Sequence, residues 1–426
     1  MLSQISTAVN LDPAPRPTVA SQTIADRSPI GTSFRFHRPR GPLCGRGYCF
    51  QCEIATPQGR ALACQTEAAV DTLGLRRDLL RPLGRLAERF PPWFYERRFL
   101  RPYRLSGLGL HVLRYLSAAP SLRDVVREAS DDGRRYTRIE TEKVVIGSAS
   151  AEDGAYRVDL AEGRLAFGFY PDRTLGVLDR DGVKEVRFER CVLGTGSYER
   201  LPPIAGNDLP GVIGFGALEV YTRSGAVARG TRIAVWAPGG THQRVRAWVA
   251  EQQLSLAWMG DRAPTAILGR RRVEGVTVEE DVRCDFFVVG VAQPAIELAL
   301  QGGATAELTN DGLPILVLKA YPEWMEIQGA AAAQTSGVPD VRADDAAFAC
   351  LCEDVRVGDL RQCVEQGFAH PELVKRRTGV MTGPCQGKLC APAVLATLRR
   401  MGVDATATRA RPLARPVRLE ELAAHA

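Results

Sequence analysis

Eight of the eleven cysteines in this chain form two tight groups, one near each end. The first group has the spacing C-x4-C-x2-C-x11-C, and the second has the spacing C-x-C-x32-C-x4-C. The members are Cys44, Cys49, Cys52 and Cys64 in the first group and Cys350, Cys352, Cys385 and Cys390 in the second. Four thiolates that converge on one point are what a 2Fe–2S cluster needs. The two groups therefore predict two such clusters and the passage of single electrons through the chain.

The first group lies in the segment GPLCGRGYCFQC, which has the C-x4-C-x2-C spacing of plant-type ferredoxin loops. Gly45 and Gly47 can adopt the backbone angles that turn amide groups toward sulfur. After Cys52 the sequence predicts a strand, a Pro-Gln-Gly turn and a strand that delivers Cys64. A zinc site or four unligated thiols remain the alternatives, although zinc ligands usually occur as two C-x2-4-C pairs.

The second group surrounds two predicted amphipathic helices and ends at a third, APAVLATLRRM. Cys385 and Cys390 fall near the N-terminus of this third helix, where free amides and the helix dipole favour thiolates. Zinc is again the alternative ligand. The three remaining cysteines are predicted to be small packing residues, and they are Cys191, Cys284 and Cys363.

Length and composition limit the class of protein. The 426 residues suffice for two or three domains, and the formal charge of +6 is a mild excess for this size. The sequence has no nucleic-acid-binding motif, no signal peptide and no apolar run long enough to span a bilayer. Cysteine-rich chains of this length favour a reducing, cytoplasmic setting in which cysteine binds metal. Any attachment to a membrane would be peripheral and would pass through a partner.

The middle of the chain alternates predicted strands and helices, which indicates an α/β, Rossmann-like domain. Two segments partly resemble the G-x-G-x-x-G fingerprint of dinucleotide sites. The first begins at Gly147 and continues Ser-Ala-Ser-Ala-Glu, and the second contains Gly239 and Gly240 after the strand RIAVWA. Gly194 and Gly196 follow another strand, CVLGTG. These five glycines are candidate nucleotide-binding residues, with structural turns as the alternative.

Several segments resemble a family of heteromeric flavin-dependent oxidases. SFRFHRPRGPLCGRGYCFQC resembles the small ferredoxin subunit of hydrogen cyanide synthase and opine oxidases. FPPWFYERRFLRP and LGTGSYERLPPIAGNDLPGV resemble the α subunit of heteromeric sarcosine oxidase. The second cysteine group resembles bacterioferritin-associated-ferredoxin-like domains, in the form found in dye-linked proline dehydrogenases. The resemblance implies a partner subunit of the D-amino-acid-oxidase type that carries FAD and oxidises an amine or amino acid.

The chain departs from that family at its nucleotide-binding motifs. The first fingerprint retains only Gly147, and the late motif is Gln328-Gly329-Ala330-Ala331, without the acidic residue that would contact flavin. These departures argue against FAD in this chain and place it in the partner, while NAD binding is left open. No catalytic constellation is found, so we expect the catalytic site on the partner chain.

The sequence therefore predicts a degenerate dinucleotide-binding middle between two small 2Fe–2S domains, one β-rich and one helical. The predicted segments are a flexible N-terminus (1–30), a ferredoxin-like domain (31–70), a connector (71–138), the α/β domain (139–342), a helical 2Fe–2S domain (343–402) and a C-terminal tail (403–426). The predicted function is electron transfer from FAD on a partner subunit to a downstream acceptor, in an amine or amino-acid dehydrogenase or oxidase. The alternatives are a zinc-binding scaffold and an FAD- or NAD-binding oxidoreductase subunit.

Overall fold

A computed structural model describes residues 18–25, 29–33, 35–36, 38–56, 59–67, 135–150, 154–159, 162–405, 410–417 and 422. The predicted connector, 71–138, lies outside these residues except for its last four positions. None of the helices within the described ranges is long and apolar enough to cross a membrane.

The described strands are mostly short and the helices few. In chain order the strands are β1 (Gly31–Thr32), β2 (Pro39–Arg40), β3 (Glu53–Thr56), β4 (Gly59–Leu62), β5 (Arg135–Gly147), β6 (Tyr156–Val158), β7 (Leu165–Tyr170), β8 (Thr174–Asp179), β9 (Gly182–Gly194), β10 (Ser197–Glu199), β11 (Val212–Gly214), β12 (Arg232–Trp236), β13 (Ser255–Gly260), β14 (Ala266–Leu268), β15 (Gly275–Thr277), β16 (Asp281–Arg283), β17 (Phe286–Val289), β18 (Ala292–Pro294), β19 (Thr305–Leu308), β20 (Leu316–Ala320), β21 (Met325–Ile327), β22 (Phe348–Cys350) and β23 (Val355–Arg356). The α-helices are α1 (Val19–Ala25), α2 (Phe215–Arg223), α3 (Gly239–Glu251), α4 (Glu297–Gln301), α5 (Val357–Glu365), α6 (Pro371–Thr378) and α7 (Ala391–Arg400).

The first of two central sheets has the order β6-β5-β9-β8-β7, with β21 also paired to β9. Strands β5 and β9 run parallel over their whole length, from Arg135 opposite Gly182 to Gly147 opposite Gly194. Strands β7, β8 and β9 form an antiparallel meander. The sheet buries the apolar side chains of these strands, including Leu175 and Val186, which are fully buried.

The second sheet is parallel, with the order β11-β17-β12-β13. Strand β12 is buried at Ile233 to Trp236 and β17 at all four of its residues. Continuous apolar runs of this kind are typical of parallel strands whose two faces are both covered. The unit β12–α3–β13 is a strand–helix–strand crossover, so the α/β class predicted for the middle of the chain is confirmed.

The terminal segments pack onto this α/β body. Helix α1 buries Ala20 and Ile24 in the same core as the β3–β4 hairpin and α2, which differs from the flexible N-terminus predicted for residues 1–30. The predicted hairpin before Cys64 is present as β3 and β4. At the other end, the Ala414 amide donates to the carbonyl of Phe167 on β7, at 2.6 Å. Part of the predicted C-terminal tail therefore contacts the edge of the first sheet.

Candidate metal centres

The first cysteine group is buried between the second sheet and the β3–β4 hairpin, and its thiols contact one another in pairs. Cys44 hydrogen-bonds Cys49, and Cys52 hydrogen-bonds Cys64. Burial would raise the pKa of Cys44, but hydrogen bonds from Cys49 and from backbone amides lower it to about 7. The hydrogen bond with Cys64 and burial raise the pKa of Cys52 well above its ordinary value. The contacts within the loop therefore lower the pKa of one thiol and raise that of another.

The glycines of this loop have the conformations expected from the sequence. Gly45 and Gly47 lie at φ values of 63° and 80°, in the left-handed region that favours glycine. A Cβ atom on Gly45 would approach the Cα atom of Ala217 in α2 to 3.1 Å. The backbone amide of Arg46 donates to the Cys44 sulfur at 3.4 Å. Here the sequence correctly predicted amides that are aimed at sulfur.

The thiols of the second group form a closed ring of hydrogen bonds. Cys350 contacts Cys352 and Cys390, and Cys385 contacts the same two residues. These hydrogen bonds hold the pKa values of Cys350 and Cys385 well below the ordinary value and raise those of Cys352 and Cys390 well above it. Cys390 is the N-cap of α7, as predicted from the sequence. Each thiol of lowered pKa in the ring is thus hydrogen-bonded to two thiols of raised pKa.

Left-handed backbone outside glycine is concentrated at the two cysteine groups. Six described non-glycine residues have positive φ, and four of them lie in or beside the cysteine loops. These four are Phe50, Asp354, Met381 and Gln386. Such conformations cost free energy and cluster at functional sites, where the surrounding structure holds them. The left-handed non-glycine conformations of the described residues are thus concentrated at the two cysteine loops.

Each cysteine group offers four thiols, which is the kind of donor set that a 2Fe–2S cluster takes. Within the described ranges, no group of three or more His, Cys, Asp and Glu side chains is arranged to hold a metal ion. The thiols instead touch one another, in two pairs in the first group and in a ring in the second. A 2Fe–2S cluster is bound by four cysteines, two at each iron. Together the two groups supply eight cysteines, of which seven are buried and Cys352 is partly exposed.

The two cysteine loops touch each other, which the sequence did not predict. The Cys352 sulfur lies 3.9 Å from the carbonyl oxygen of Cys49. Beside this contact, Arg38 and Asp354 form an ion pair at 2.7 Å in which both side chains are 2% exposed. Asp354 also accepts hydrogen bonds from the backbone amides of Arg35 and Phe36, at 2.9 and 3.4 Å. The segment that precedes the first loop, Arg35 to Arg38, is thus held to the turn that follows Cys352.

The first candidate nucleotide site does not fit a dinucleotide. A phosphate site of this type needs a helix directly after the first strand, but only residues 148–155 separate β5 from β6, and those described are not helical. A Cβ atom on Gly194 would lie 2.4 Å from the Ala149 nitrogen, so backbone already covers the strand ends. The Ser150 amide donates to Gln328 Oε1 at 3.0 Å and is occupied as well.

The second candidate site retains the geometry of a mononucleotide half. Helix α3 begins at Gly239, directly after β12, and has no side-chain cap. Cβ atoms placed on Gly239 or Gly240 would meet nothing within 4 Å. His242 hydrogen-bonds the Ala237 carbonyl at 3.0 Å, which closes the turn. Gly196 also faces open space, at a φ of 75°, but it follows β9 and no helix starts there.

The three cysteines outside the groups lie in the apolar cores. Cys191 and Cys363 belong to the core around the first sheet, and Cys284 belongs to that around the second. Burial raises the pKa of all three thiols, to about 12 for Cys284. Their positions agree with the packing role predicted for them.

Comparison with known proteins finds similarity to subunits of two oxidases. Residues 344–426 match the family described as the sarcosine oxidase A3 domain. The alpha subunit of sarcosine oxidase from Rhizobium meliloti (strain 1021) is 24% identical over 87% of this chain and 52% of that subunit. The chain is similar to a sarcosine oxidase alpha subunit. A subunit of opine oxidase from the same strain is 36% identical, over 18% of each chain. The chain spans about half the length of the sarcosine oxidase subunit.

A solved structure supports the fold. L-proline dehydrogenase from P. horikoshii superimposes with a TM-score of 0.53, covering 68% of this chain and 81% of that chain, at 15% identity. At this identity the likeness concerns the fold alone. The chain therefore has a mixed α/β fold of the Rossmann-like type, shared with an oxidoreductase.

Proposed function

We propose that this chain is the iron–sulfur electron-transfer subunit of a heteromeric, flavin-dependent amine or amino-acid dehydrogenase or oxidase. The observation that supports this most is that the thiols of each cysteine group contact one another and that the two loops touch. A relay between one-electron carriers requires that the carriers be close. The α/β body, with its first nucleotide site closed by backbone, then serves as the support that holds both loops.

The chain's own residues would bind the clusters and adjust their charge. Cys44, Cys49, Cys52 and Cys64 would hold one cluster, and Cys350, Cys352, Cys385 and Cys390 the other. When bound, a 2Fe–2S cluster supplies reversible one-electron redox chemistry. The amides at Arg46 and the N-terminus of α7 would stabilise the negative charge of the thiolates.

The proposed partner is a separate FAD-containing subunit of the D-amino-acid-oxidase type, which would carry the catalytic site. The names of two relatives support this assembly. The similar sarcosine oxidase and opine oxidase chains are each named as a subunit of an oxidase. The partner's FAD would deliver electrons to this chain, which would pass them to a downstream acceptor in the cytoplasm. Any contact with a membrane would be made through that assembly.

Metal and sulfide analysis of anaerobically prepared protein tests the cluster assignment. We expect about four iron atoms and four acid-labile sulfides per chain, the content of two 2Fe–2S clusters. Dithionite reduction should then produce paramagnetic resonance signals. Zinc in place of iron, with no sulfide, would support the scaffold alternative and exclude electron transfer.

Co-expression with candidate FAD-containing subunits, followed by native purification, tests the assembly. We expect a stable complex in which amine substrate reduces the clusters, while the isolated chain is not reduced by any amine. Reduction of the isolated chain by substrate would contradict the assignment of catalysis to a partner.

A second candidate function rests on the β12–α3–β13 unit. The open glycines at the start of α3 favour phosphate binding at this helix N-terminus. Titration of the purified chain with NADH and with FAD would reveal such a site, and Gly240→Glu should abolish binding by charge and bulk. Gln243→Glu, on the exposed surface of the same helix, is the control. Absence of binding in the wild-type chain would leave electron transfer as its role.

A further inference from the structure

The contact between the two cysteine loops centres on Gln51. Its Nε2 atom lies 3.8 Å from the Cys352 sulfur, across a sequence separation of 301 residues. The side chain is buried, with an exposed fraction of 4%. Gln51 belongs to the first loop, between Cys49 and Cys52, yet its amide faces a sulfur of the second group.

The orientation of the Gln51 amide is fixed by its neighbour. Arg38 Nη2 donates to Gln51 Oε1 at 3.2 Å, and Arg38 Nε donates to Asp354 at 2.7 Å. Because a guanidinium group carries only donors, the Gln51 oxygen must face Arg38, so its N–H group points toward Cys352. The Arg38–Asp354 pair therefore determines which end of the amide meets the sulfur.

Cys352 differs from most of the other grouped cysteines in the donor that its sulfur receives. Backbone N–H groups hydrogen-bond the sulfurs of five other cysteines of the two groups, namely Cys44, Cys49, Cys52, Cys350 and Cys385. The Cys352 sulfur instead accepts from the side-chain amide of Gln51. As a thiolate ligand, Cys352 would lose the S–H group that now faces the Cys49 carbonyl. The Gln51 amide would then remain as the side-chain donor between the loops.

We infer that Gln51 is a positioning residue for the second metal centre, supplied by the loop of the first. This inference rests on the proposed function, since it assumes that the second group binds a cluster. A hydrogen bond to a ligand sulfur stabilises the negative charge added on reduction. Gln51 therefore raises the reduction potential of the second centre and couples its environment to the first loop.

Redox titration followed by paramagnetic resonance tests the inference in Gln51→Leu and Gln51→Glu. Leucine removes the donor, while glutamate also keeps an acceptor for Arg38 and adds negative charge. We expect both variants to disfavour reduction of the second centre by about tenfold, about 59 mV for a one-electron couple, and the first centre to shift less. Cys385→Ser identifies the signal of the second centre. Gln362→Glu and Gln362→Leu, at an exposed position of α5, are the controls.

The outcomes separate this inference from the proposed function. A wild-type chain without iron and sulfide would refute the proposed function itself. Two intact centres with unchanged potentials in both Gln51 variants would overturn the inference and leave electron transfer standing. Selective loss of iron from the second centre in both variants would support a positioning role. Equal loss from both centres would show that Gln51 acts only on folding.

Discussion

The two cysteine groups reach similar burial by different routes. The first is local, since its four members lie within one loop and one hairpin, residues 44–64. The second joins a strand end at Cys350 to the N-cap of α7 at Cys390, with α5 and α6 between them. The first loop uses glycine and backbone amides to face its sulfurs, whereas the second uses a ring of thiols and a helix N-terminus.

This difference explains where each group depends on the rest of the molecule. A local loop can be shaped by its own sequence, because Gly45 and Gly47 supply the needed backbone angles. The second group needs helix packing to bring its halves together, and its Cys352 takes a donor from the first loop. The comparison therefore predicts two kinds of effect. Loss of a cysteine in one group should leave the other group largely intact, whereas breaking the Arg38–Asp354 pair between the loops should affect both groups.

Removing one ligand from each group should have the largest effect. We expect Cys52→Ser and Cys385→Ser each to lose about half of the iron and sulfide, because each group binds its cluster separately. Iron and sulfide analysis with paramagnetic resonance measures this. Cys363→Ala is the matched control, since Cys363 is buried near the second group but belongs to neither. Loss of all iron in either serine variant would contradict separate centres.

Breaking the buried ion pair should affect both groups through folding stability. Asp354→Asn leaves Arg38 as a buried unpaired cation, and we expect a loss of about 3–5 kcal/mol in the free energy of unfolding. Asparagine tolerates the left-handed backbone of this position, so the change isolates the charge. Urea unfolding provides the measurement.

Asp345→Asn is the control for the ion pair, because Asp345 binds Arg361 on the exposed surface. We expect little change there, since solvent screens exposed pairs. Equal losses in the two variants would show that burial of the Arg38–Asp354 pair adds nothing.

A methyl group beside the second centre should disturb that centre alone. A Cβ atom on Gly383 would lie 2.3 Å from the Cys352 Cβ atom, so Gly383→Ala must displace the backbone. We expect a destabilisation of about 1–3 kcal/mol and weaker iron retention in the second centre. Gly240→Ala, which faces open space, should change neither quantity. Full iron retention in Gly383→Ala would show that this turn adapts.

The smallest expected effect lies beside the first loop, at Glu199. Burial and the nearby Cys44 raise the pKa of this carboxyl from 4.5 to about 8, and its Oε2 atom has no hydrogen-bond partner. An acid with a raised pKa destabilises the fold as it ionises, so stability should fall as the pH rises from about 4.5 to about 8. Glu199→Gln should lack this dependence and gain about 1–3 kcal/mol at pH 9. Urea unfolding at a series of pH values measures this. If the prediction is wrong, the stability of the wild-type chain and that of Glu199→Gln will change with pH in parallel.

Much of the local structure could be predicted from the sequence. The glycine conformations, the hairpin before Cys64 and the helix after Cys390 each depend on a few neighbouring residues. The α/β middle was predicted from the alternation of strand and helix patterns along that part of the chain. The helix α1 was missed because its seven residues make only two turns, too few for a helical repeat to show in the sequence.

The amino-acid sequence by itself determined the two sets of four thiols and the backbone turns that shape them, because spacing and glycine act over a few residues. Only the tertiary structure decided that the two sets meet, that Arg38 pairs with Asp354, and that Gln51 faces Cys352. These contacts join residues about 300 positions apart, and no local pattern encodes them. They form because the α/β body brings both loops to one place, where a buried charge and a buried amide must each find a partner.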